Sequence, residues 1–353
     1  MKLFKSLISL CAIMGLLVFL TGCPTVANRE DSKKPLGMAN FTYFDTVSNV
    51  YSYAGDSEEE FAENANKVFE ILGEYHKLFD IYYEHSGVVN LRTLNKNAGG
   101  EAMVVDEKLI DFLLYARELY ETTNGEMNIM MGSVLRLWHD CREAASNNSA
   151  NARIPTGAEL AEANKYTDIS FLEIDEENNT VRITDPNASI DVGALGKGYA
   201  TEMAARYLES VGIESYVLNI GGNIRIIGNK PDGSGWGTGI KDPADSDKYA
   251  IILTLANTSC VTSGDYERFF TVGGERYHHI IDKDTLMPAD YFRSVSIITK
   301  NSALADALST ALFAMSYEDG KAVVEKIGDV DVIWICPDGE IKYTSGIEEL
   351  IRK

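Results

Sequence analysis

The sequence predicts an α+β domain with a largely antiparallel sheet and flanking helices, and three observations support this fold class. Apolar residues recur at helical spacing over residues 57–79 and 107–122. From residue 216 onward the pattern changes to short runs that are rich in β-branched and aromatic residues and are separated by turn residues. Between these two parts, residues 190–222 combine a glycine-spaced turn, an amphipathic helix and a strand.

Local signals place the individual elements. A first strand is predicted over residues 41–53, and Ser57 followed by three glutamates marks the start of a long helix. Residues 144–166 are polar and alanine-rich, which indicates an exposed insertion. Further strands are predicted at residues 170–174, 180–183, 216–220, 224–228, 236–240, 250–255, 258–262, 268–272, 276–281 and 294–299. Later helices are predicted at residues 303–315 and 320–327.

The amino terminus has the pattern of an exported protein. Lys2 and Lys5 precede an apolar run that is too short for a comfortable membrane span. The run ends in the segment Leu20-Thr21-Gly22-Cys23, which resembles the lipobox of bacterial lipoproteins. We therefore expect a lipid on Cys23 that holds the protein at the extracytoplasmic face of the cell membrane. The alternative is a plain signal peptide in which this cysteine is accidental.

This interpretation divides the chain into three parts. Residues 1–22 form the lipoprotein signal peptide, which is excluded from fold reasoning. Residues 23–40 are polar and without pattern, which is typical of a tether from the lipid to the domain. Residues 41–353 form the functional domain, whose apolar content is ample for a substantial core.

Charge and cysteine content exclude several classes of function. The net charge is −21, and removal of Lys2 and Lys5 with the leader makes it −23. Such an acidic surface argues against nucleic acid as a partner and against a polybasic grip on anionic lipid. Cys141, Cys260 and Cys336 form no C-x-x-C pair, so neither a disulfide framework nor a thiolate metal site is predicted.

The segment from Asp191 to Gly198 has the composition of an anion-binding turn. Its glycines allow close approach of the backbone to a ligand, and the helix that follows presents its amino terminus to the same place. Lys197 adds a positive charge suited to phosphate. The spacing matches neither a Rossmann nor a Walker loop. An ordinary loop–helix–strand unit with tight turns explains this segment equally well.

A second group of polar residues lies on the helix predicted near residue 306. Asp306 and Thr310 are four residues apart and share a helix face, with Ser309 beside them. Carboxylate and hydroxyl oxygens are hard ligands of the kind that Mg²⁺ or Ca²⁺ takes. Solvated or capping side chains would show the same spacing. His278 and His279 lie on a predicted strand and so would point to opposite faces, which lets at most one of them serve a given site.

Taken together and in order, these segments resemble the FAD:protein FMN transferases of the ApbE type. The matching segments are Asp191–Ala200, Asn219–Gly222, Thr262–Arg268, His279–Asp282, Ser294–Val295 and Ala305–Thr310. Upstream matches are Tyr82, the Gly125–Ile129 segment and Leu137-Trp138. The departures from the family pattern are Met127, Asn128, Asn223, Lys283 and Leu286.

The resemblance implies an ApbE-like fold over residues 41–353 and a Mg²⁺-dependent phosphoryl transfer. FAD is the substrate, FMN is passed to a threonine of an extracytoplasmic acceptor protein, and AMP leaves. By resemblance the metal ligands are Asp306, Ser309, Thr310 and the carbonyl at Ala194. The flavin-binding residues are Tyr82, Glu126, Met127, Asn128, Asp191, Lys197 and Ile280. His279 and Asp306 are the catalytic residues, His279 for phosphate contact or proton handling.

Two other functions fit the same residues. With water in place of the threonine, the protein would be an FAD pyrophosphatase that produces FMN and AMP. Without turnover, it would be a lipid-anchored flavin-binding protein. Magnesium-dependent release of AMP separates an enzyme from a binder, and an added acceptor protein separates transfer from hydrolysis.

Overall fold

The structure is a computed structural model that describes residues 34–352. The predicted signal peptide, Cys23 and the first part of the predicted tether lie outside these residues. Between residues 34 and 352, no helix has the length and apolar content required to cross a bilayer. The helices are α1 (Glu58–Phe79), α2 (Leu91–Lys96), α3 (Glu107–Thr122), α4 (Gly132–Asn147), α5 (Gly157–Ala163), α6 (Gly196–Ser210), α7 (Ser302–Ala311), α8 (Tyr317–Ile327) and α9 (Ile347–Leu350).

Strands from both halves of the chain build the sheets. They are β1 (Leu36–Asn40), β2 (Ser48–Ser52), β3 (Met103–Val104), β4 (Leu172–Asp175), β5 (Thr180–Ile183), β6 (Tyr216–Ile220), β7 (Asn223–Ile227), β8 (Trp236–Asp242), β9 (Asp245–Leu255), β10 (Ser259–Gly264), β11 (Phe269–Val272), β12 (Glu275–His278), β13 (Ser294–Thr299), β14 (Asp331–Ile335) and β15 (Ile341–Tyr343). One eight-stranded sheet has the order β1-β2-β6-β7-β10-β13-β14-β15, and its neighbours are antiparallel. Smaller antiparallel sheets are β3-β5-β4, β8-β9 and β11-β12. The predicted fold class is confirmed.

The start of the domain differs from the prediction. Residues 36–40, predicted as tether, form β1 and pair with β2 from Leu36↔Ser52 to Asn40↔Ser48. The predicted strand over residues 41–53 is interrupted, because Phe44 and Asp45 adopt left-handed backbone angles in a turn before β2. The tether prediction is therefore wrong for residues 36–40. Pairing with β2 holds this edge strand in place, and the short segment carries little apolar pattern of its own.

Most other elements lie where the patterns place them. The helix predicted over residues 57–79 is α1, and its capping box is complete: Ser57 and Glu60 each bond the backbone of the other. The predicted strand over residues 170–174 begins later, at Leu172. The Asp168 carboxylate accepts from the amide of Ser170 at 2.8 Å and caps a short 3-10 turn there.

The large sheet is covered on both faces. On one face, α1, α6 and α7 pack against its strands in two apolar clusters. On the other face, apolar residues of the β8–β9 hairpin such as Trp236 and Leu253 pack against Cys260, Ile298 and Ile333 of the sheet. The polar residues of the predicted site lie on the helical face of the sheet, where the amino end of α6 is beside α7.

Gly198 sets the distance between α6 and α7. A β-carbon placed on it would lie 2.3 Å from Cβ of Asp306 and 2.5 Å from the carbonyl oxygen of Ser302, distances that real contacts do not reach. Any larger residue must push the two helices apart. The second of these atoms is backbone, so side-chain rotation cannot relieve the overlap.

The variant Gly198→Ala is therefore expected to lose about 3 kcal/mol of unfolding free energy, the upper end of the usual cost of overpacking. Gly157, the first residue of α5, has open space around the same position and is the matched control. Chemical denaturation of both variants measures the difference. A Gly198→Ala protein as stable as Gly157→Ala would contradict the close helix contact.

Candidate active site

Asp306 lies in α7 with its side chain almost completely buried. One carboxylate oxygen accepts a hydrogen bond from the backbone amide of Gly198 at 2.7 Å, and the other lies 3.4 Å from the ammonium of Lys197. Both donors belong to the first turn of α6, where backbone amides have no partner within the helix. The amino end of α6 thus anchors a buried carboxylate supplied by a residue 108 positions away.

Three hydroxyl groups are linked to one another next to the backbone of Asp306. Ser309 Oγ bonds the carbonyl of Asp306 at 2.9 Å and the hydroxyl of Ser263 at 2.8 Å. Among residues 34–352, the only hydrogen-bond contact of Thr310 Oγ1 is a 3.4 Å contact with Ser263, and Thr310 is partly exposed. Thr310 is accordingly freer than the fully buried Ser309 to bind a ligand. Ser263 belongs to the matching segment Thr262–Arg268, but the sequence predicted no role for it.

The residues around Asp306 fit a divalent cation such as Mg²⁺. In a regular helix the amide of Gly198 would bond the carbonyl of Ala194, but it donates to Asp306 instead. The Ala194 carbonyl is thereby left without its helical donor, in a partly exposed turn. A carbonyl, a carboxylate and a free hydroxyl are the hard oxygen donors that Mg²⁺ prefers. The predicted ligand role of Ala194, Asp306, Ser309 and Thr310 remains a prediction.

Asp191 stands at the other end of the same turn. Its carboxylate accepts from the amide of Gly193 at 2.9 Å, and its own amide donates to the carbonyl of Ile129 at 2.8 Å. The Asn95 side chain pairs with both backbone groups of Ile190, at 2.7 and 2.9 Å, and so fixes the approach to Asp191. Burial raises the pKa of the Asp191 carboxyl.

A cavity of about 580 Å³ opens beside Asp191 and is also lined by Tyr82 and His139. The Tyr82 ring is 52% exposed and lies 5.4 Å from the ring of His139. An exposed aromatic face beside a carboxylate can stack on a planar heterocycle and bond its polar edge. Asp306 does not line this cavity, so the Asp306 end and the aromatic end of the site are separate and are joined by residues 191–198.

Two arginines that sequence reasoning left without a role lie near these groups. Arg142 of α4 bonds the ring of His139 at 3.0 Å, and its positive charge acts on Tyr82, Asp191 and Arg268. Neither guanidinium forms a salt bridge within residues 34–352. Burial and the charge of Arg268 lower the pKa of Arg142. Two neighbouring guanidiniums without carboxylate partners form a ready site for an anion.

The backbone of Arg268 holds His279 in position. It lies just beyond β12, where its backbone amide and its ring Nδ1 both contact the carbonyl of Arg268, at 3.1 and 3.2 Å. A carbonyl oxygen only accepts, so Nδ1 carries the proton and Nε2 keeps a free lone pair. Burial, with Arg268 and Arg142 nearby, lowers the pKa of His279 to about 3. His278 instead bonds the carbonyl of Ala289 and faces Phe313, so only one of the two histidines belongs to this site.

The Glu126–Asn128 segment is less directly connected to these groups. Met127 is buried in the core, and the Asn128 side chain bonds the carbonyl of Thr167 at 2.8 Å and the amide of Met130 at 2.9 Å. Ile280 is likewise buried, with its carbonyl accepting from Ala289. Their predicted contacts with flavin remain predictions. The structure does not bring the side chains of Met127 and Ile280 to a surface.

Glu126 has an unusual environment. Its side chain is 7% exposed and lies 3.7 Å from the ammonium of Lys283, which stands where the family has proline. Burial raises the pKa of Glu126 to about 7, against the opposing effect of Lys283 and with Asp282 and Asp284 adding to it. Lys283 also bonds Asp284 at 2.8 Å. The departure from proline thus places a cation beside a buried acid.

Glu126→Gln is expected to stabilise the protein at alkaline pH. The raised pKa means that the folded state binds more protons than the unfolded state between about pH 4.5 and 7, so stability falls as pH rises through this window. Above about pH 7 the ionised carboxylate lowers the free energy of unfolding by up to roughly 3 kcal/mol. The glutamine variant should gain stability at about pH 8 and little at about pH 5. Denaturation curves at both pH values measure the change in unfolding free energy, and Glu176→Gln, at an exposed position, is the control. Equal changes in the two variants would refute the prediction.

Leu286 replaces a family glycine at a left-handed position, with φ of 59°. A branched residue there costs about 1–2 kcal/mol. Its side chain is 9% exposed in an apolar cluster with Trp138, and its carbonyl accepts from the Trp138 indole at 2.9 Å. Burial of the side chain offsets the backbone strain.

Asn223, another departure, is 1% exposed, and neither polar atom of its amide has a hydrogen-bond partner among residues 34–352.

Known proteins resemble this chain over most of its length. The ApbE family model matches residues 44–334. The FAD:protein FMN transferase of Treponema pallidum is 30% identical over 319 residues, which cover 87% of this chain and 86% of that protein. The FAD:protein FMN transferase of Vibrio cholerae is 30% identical over 336 residues, with 93% and 94% covered.

Solved structures agree with the sequence relatives. The ApbE protein of Thermotoga maritima has a TM-score of 0.79 at 28% identity and covers 91% of this chain and 100% of its own. A histidine-to-glycine variant of the flavin transferase ApbE from Vibrio cholerae has a TM-score of 0.74 at 27% identity, with 90% and 100% covered.

Proposed function

This chain belongs to the ApbE family, and on that premise we propose that it transfers FMN from FAD to a threonine of an acceptor protein and releases AMP. One observation carries the proposal. The turn over residues 191–198 connects the buried carboxylate of Asp306 to a flavin-sized cavity. Beside it lie two guanidiniums without a salt bridge among residues 34–352 and a histidine whose Nε2 has a free lone pair. Phosphoryl transfer requires positioning and charge neutralisation of this kind more than covalent catalysis.

The reaction exchanges one P–O bond for another. The acceptor threonine oxygen attacks the FMN phosphorus, the bond from that phosphorus to the oxygen of AMP breaks, and AMP leaves with the electron pair. Asp306, Thr310 and the Ala194 carbonyl would hold Mg²⁺, and the bound ion would supply charge neutralisation for the pyrophosphate. The proton of the threonine hydroxyl passes to His279 Nε2, because Nδ1 is held as a donor by the Arg268 carbonyl.

The arginines connect substrate binding to the basicity of His279. In the free protein, burial and the charges of Arg268 and Arg142 make the ring a weak base. A bound pyrophosphate would offset the charges of both guanidiniums and so raise the pKa of His279, while the larger effect of burial would persist. His279 would therefore become a stronger base when the pyrophosphate of FAD is bound, at the stage where the threonine hydroxyl has to lose its proton.

Water is the competing acceptor. His279 and Thr310 are both partly exposed, so water reaches the region in the absence of a docked protein. A slow FAD pyrophosphatase activity would therefore accompany transfer. Docking of the acceptor threonine supplies an entropic advantage of up to about 7–11 kcal/mol in ideal cases, and this decides the partition.

The test is mass spectrometry of a candidate acceptor after incubation with FAD and Mg²⁺. A threonine that gains the mass of FMN through a phosphoester, together with at least one AMP released per flavin attached, supports the proposal. Release of AMP at full rate with no flavin on any co-expressed extracytoplasmic protein would identify a hydrolase. Binding of FAD without AMP release would identify a flavin-binding protein.

We propose further that the mature protein begins at a lipid-modified Cys23 and is held at the extracytoplasmic face of the membrane. The lipobox-like segment from Leu20 to Cys23 supports this, and a lipid anchor would place the enzyme beside membrane-bound redox proteins. Intact-mass measurement of protein from its native membrane is the test. An unmodified Cys23, or a mature chain that starts at another residue, would reject the anchor and leave the transferase proposal untouched.

A further inference from the structure

Three side chains with metal-ligating atoms meet where α1 ends. His76 lies in the last turn of the helix, Asp80 follows it directly, and His85 lies in the loop beyond. One ligand atom from each lies within 4.8 Å of the other two. His85 Nε2 is 2.9 Å from Asp80 Oδ2, and the rings of His76 and His85 lie 6.0 Å apart. We infer that His76, Asp80 and His85 form a binding site for a divalent transition-metal ion of the zinc class, distinct from the oxygen site at Asp306.

The chemistry of the ligands selects the class of metal. Two imidazole nitrogens and one carboxylate oxygen suit Zn²⁺, whereas Mg²⁺ prefers oxygens alone. Ligands in a tetrahedral zinc site stand roughly 3.3 Å apart, as follows from bond lengths of about 2.0–2.2 Å. The three atoms need only small side-chain movements to reach that separation. The two histidines are partly exposed, so an ion can enter and a water can take the fourth position.

The carboxylate is already oriented for such a role. Asp80 is 8% exposed, and its Oδ1 accepts from the backbone amides of Tyr82 and Tyr83 at 2.7 and 2.9 Å. These bonds direct Oδ2 to the side on which His85 lies. Partners of this kind, which hold a ligand group from behind, are typical of metal sites.

His76 is held among aromatic rings. Its ring lies 5.8 Å from that of Tyr43 and 5.4 Å from that of Phe44, and Nδ1 receives a long 3.4 Å contact from the amide of Phe44. Burial lowers the pKa of His76, so the ring is neutral at pH 7 and can use a lone pair for a metal.

A simple ion pair explains part of this arrangement. A charged His85 on Asp80 would suit the carboxyl end of α1, where cations are favoured. That pair does not account for His76, a half-buried ring beside it whose only hydrogen-bond contact among residues 34–352 is the long one with the amide of Phe44. A shared metal gives all three side chains a partner. It would also hold the backbone of Tyr82, because the same carboxylate binds that residue through its other oxygen.

The test uses the full chain without a histidine tag and titrates it with Co²⁺, a spectroscopic substitute for Zn²⁺. We expect one equivalent to bind with the visible bands of a tetrahedral nitrogen–oxygen site and without a thiolate charge-transfer band. Zn²⁺ should displace it, and excess Mg²⁺ should not. His76→Gln, which leaves the Asp80–His85 pair intact, should weaken binding by more than about tenfold.

Two variants serve as controls. His139→Gln removes a histidine of similar exposure outside the cluster, and Asp306→Ala removes the oxygen site; both should bind Co²⁺ as the parent chain does. X-ray absorption of the zinc-loaded parent chain should show two imidazoles, a result that does not depend on the folding of any variant. Unchanged binding by His76→Gln, a thiolate band, a loss of binding in Cys336→Ser, or the absence of stoichiometric binding would each overturn the inference.

Discussion

Asp306→Ala is expected to reduce FAD turnover by roughly 10³-fold or more. The substitution removes the only charged oxygen of the predicted metal site and leaves the Gly198 amide and the Lys197 ammonium without their shared acceptor. Charge on the pyrophosphate is then poorly neutralised in the transition state. The measurement is AMP release from FAD as a function of Mg²⁺ concentration.

Two companion variants make this result specific. Asp306→Asn keeps the size of the side chain and an oxygen for the Gly198 amide, so it should preserve stability while it loses most of the activity. Thr310→Ala should be milder, since water can replace a neutral hydroxyl ligand. Near-normal turnover by a folded Asp306→Ala protein would reject the metal site. Equal losses in Asp306→Ala and Thr310→Ala would show that the carboxylate charge is not the main contribution.

His279→Ala is expected to lower the rate of transfer by about 10²–10⁴-fold, the usual contribution of a positioned general base. The control is His278→Gln, which removes the neighbouring histidine but keeps a donor for the Ala289 carbonyl. That variant should keep most of its activity. Comparable losses in both variants would indicate that the segment, and not the His279 ring, is what matters.

The lowered pKa of His279 predicts how kcat and kcat/KM depend on pH. With a pKa of about 3 in the free protein, His279 is in its basic form throughout the neutral range, so its titration should place no acid limb of kcat/KM in that range. Bound pyrophosphate raises this pKa, so the acid limb of kcat should lie at a higher pH than that of kcat/KM. Arg142→Gln should bring the two limbs closer together. Acid limbs that coincide in the parent protein would contradict the link between the arginines and His279.

The sequence by itself determined the elements that carry a strong local signal. The apolar spacing over residues 57–79 and 107–122 predicted α1 and α3, because one face of each helix has to be buried. The segment 216–220 was predicted as a strand and is β6. Residues four apart on a helix share a face in any fold, so Asp306 and Thr310 could be paired before the structure was known.

Only the tertiary structure decided how distant parts of the chain meet. The bond from Gly198 to Asp306 spans 108 residues, and the contact between Ser263 and Ser309 spans 46. Arg142 lies in α4, a helix that the sequence analysis did not predict, so no local signal places it near His279. Local sequence specifies helices and strands through propensity and periodicity, but burial, unpaired charge and the tautomer of a histidine depend on neighbours that packing alone supplies.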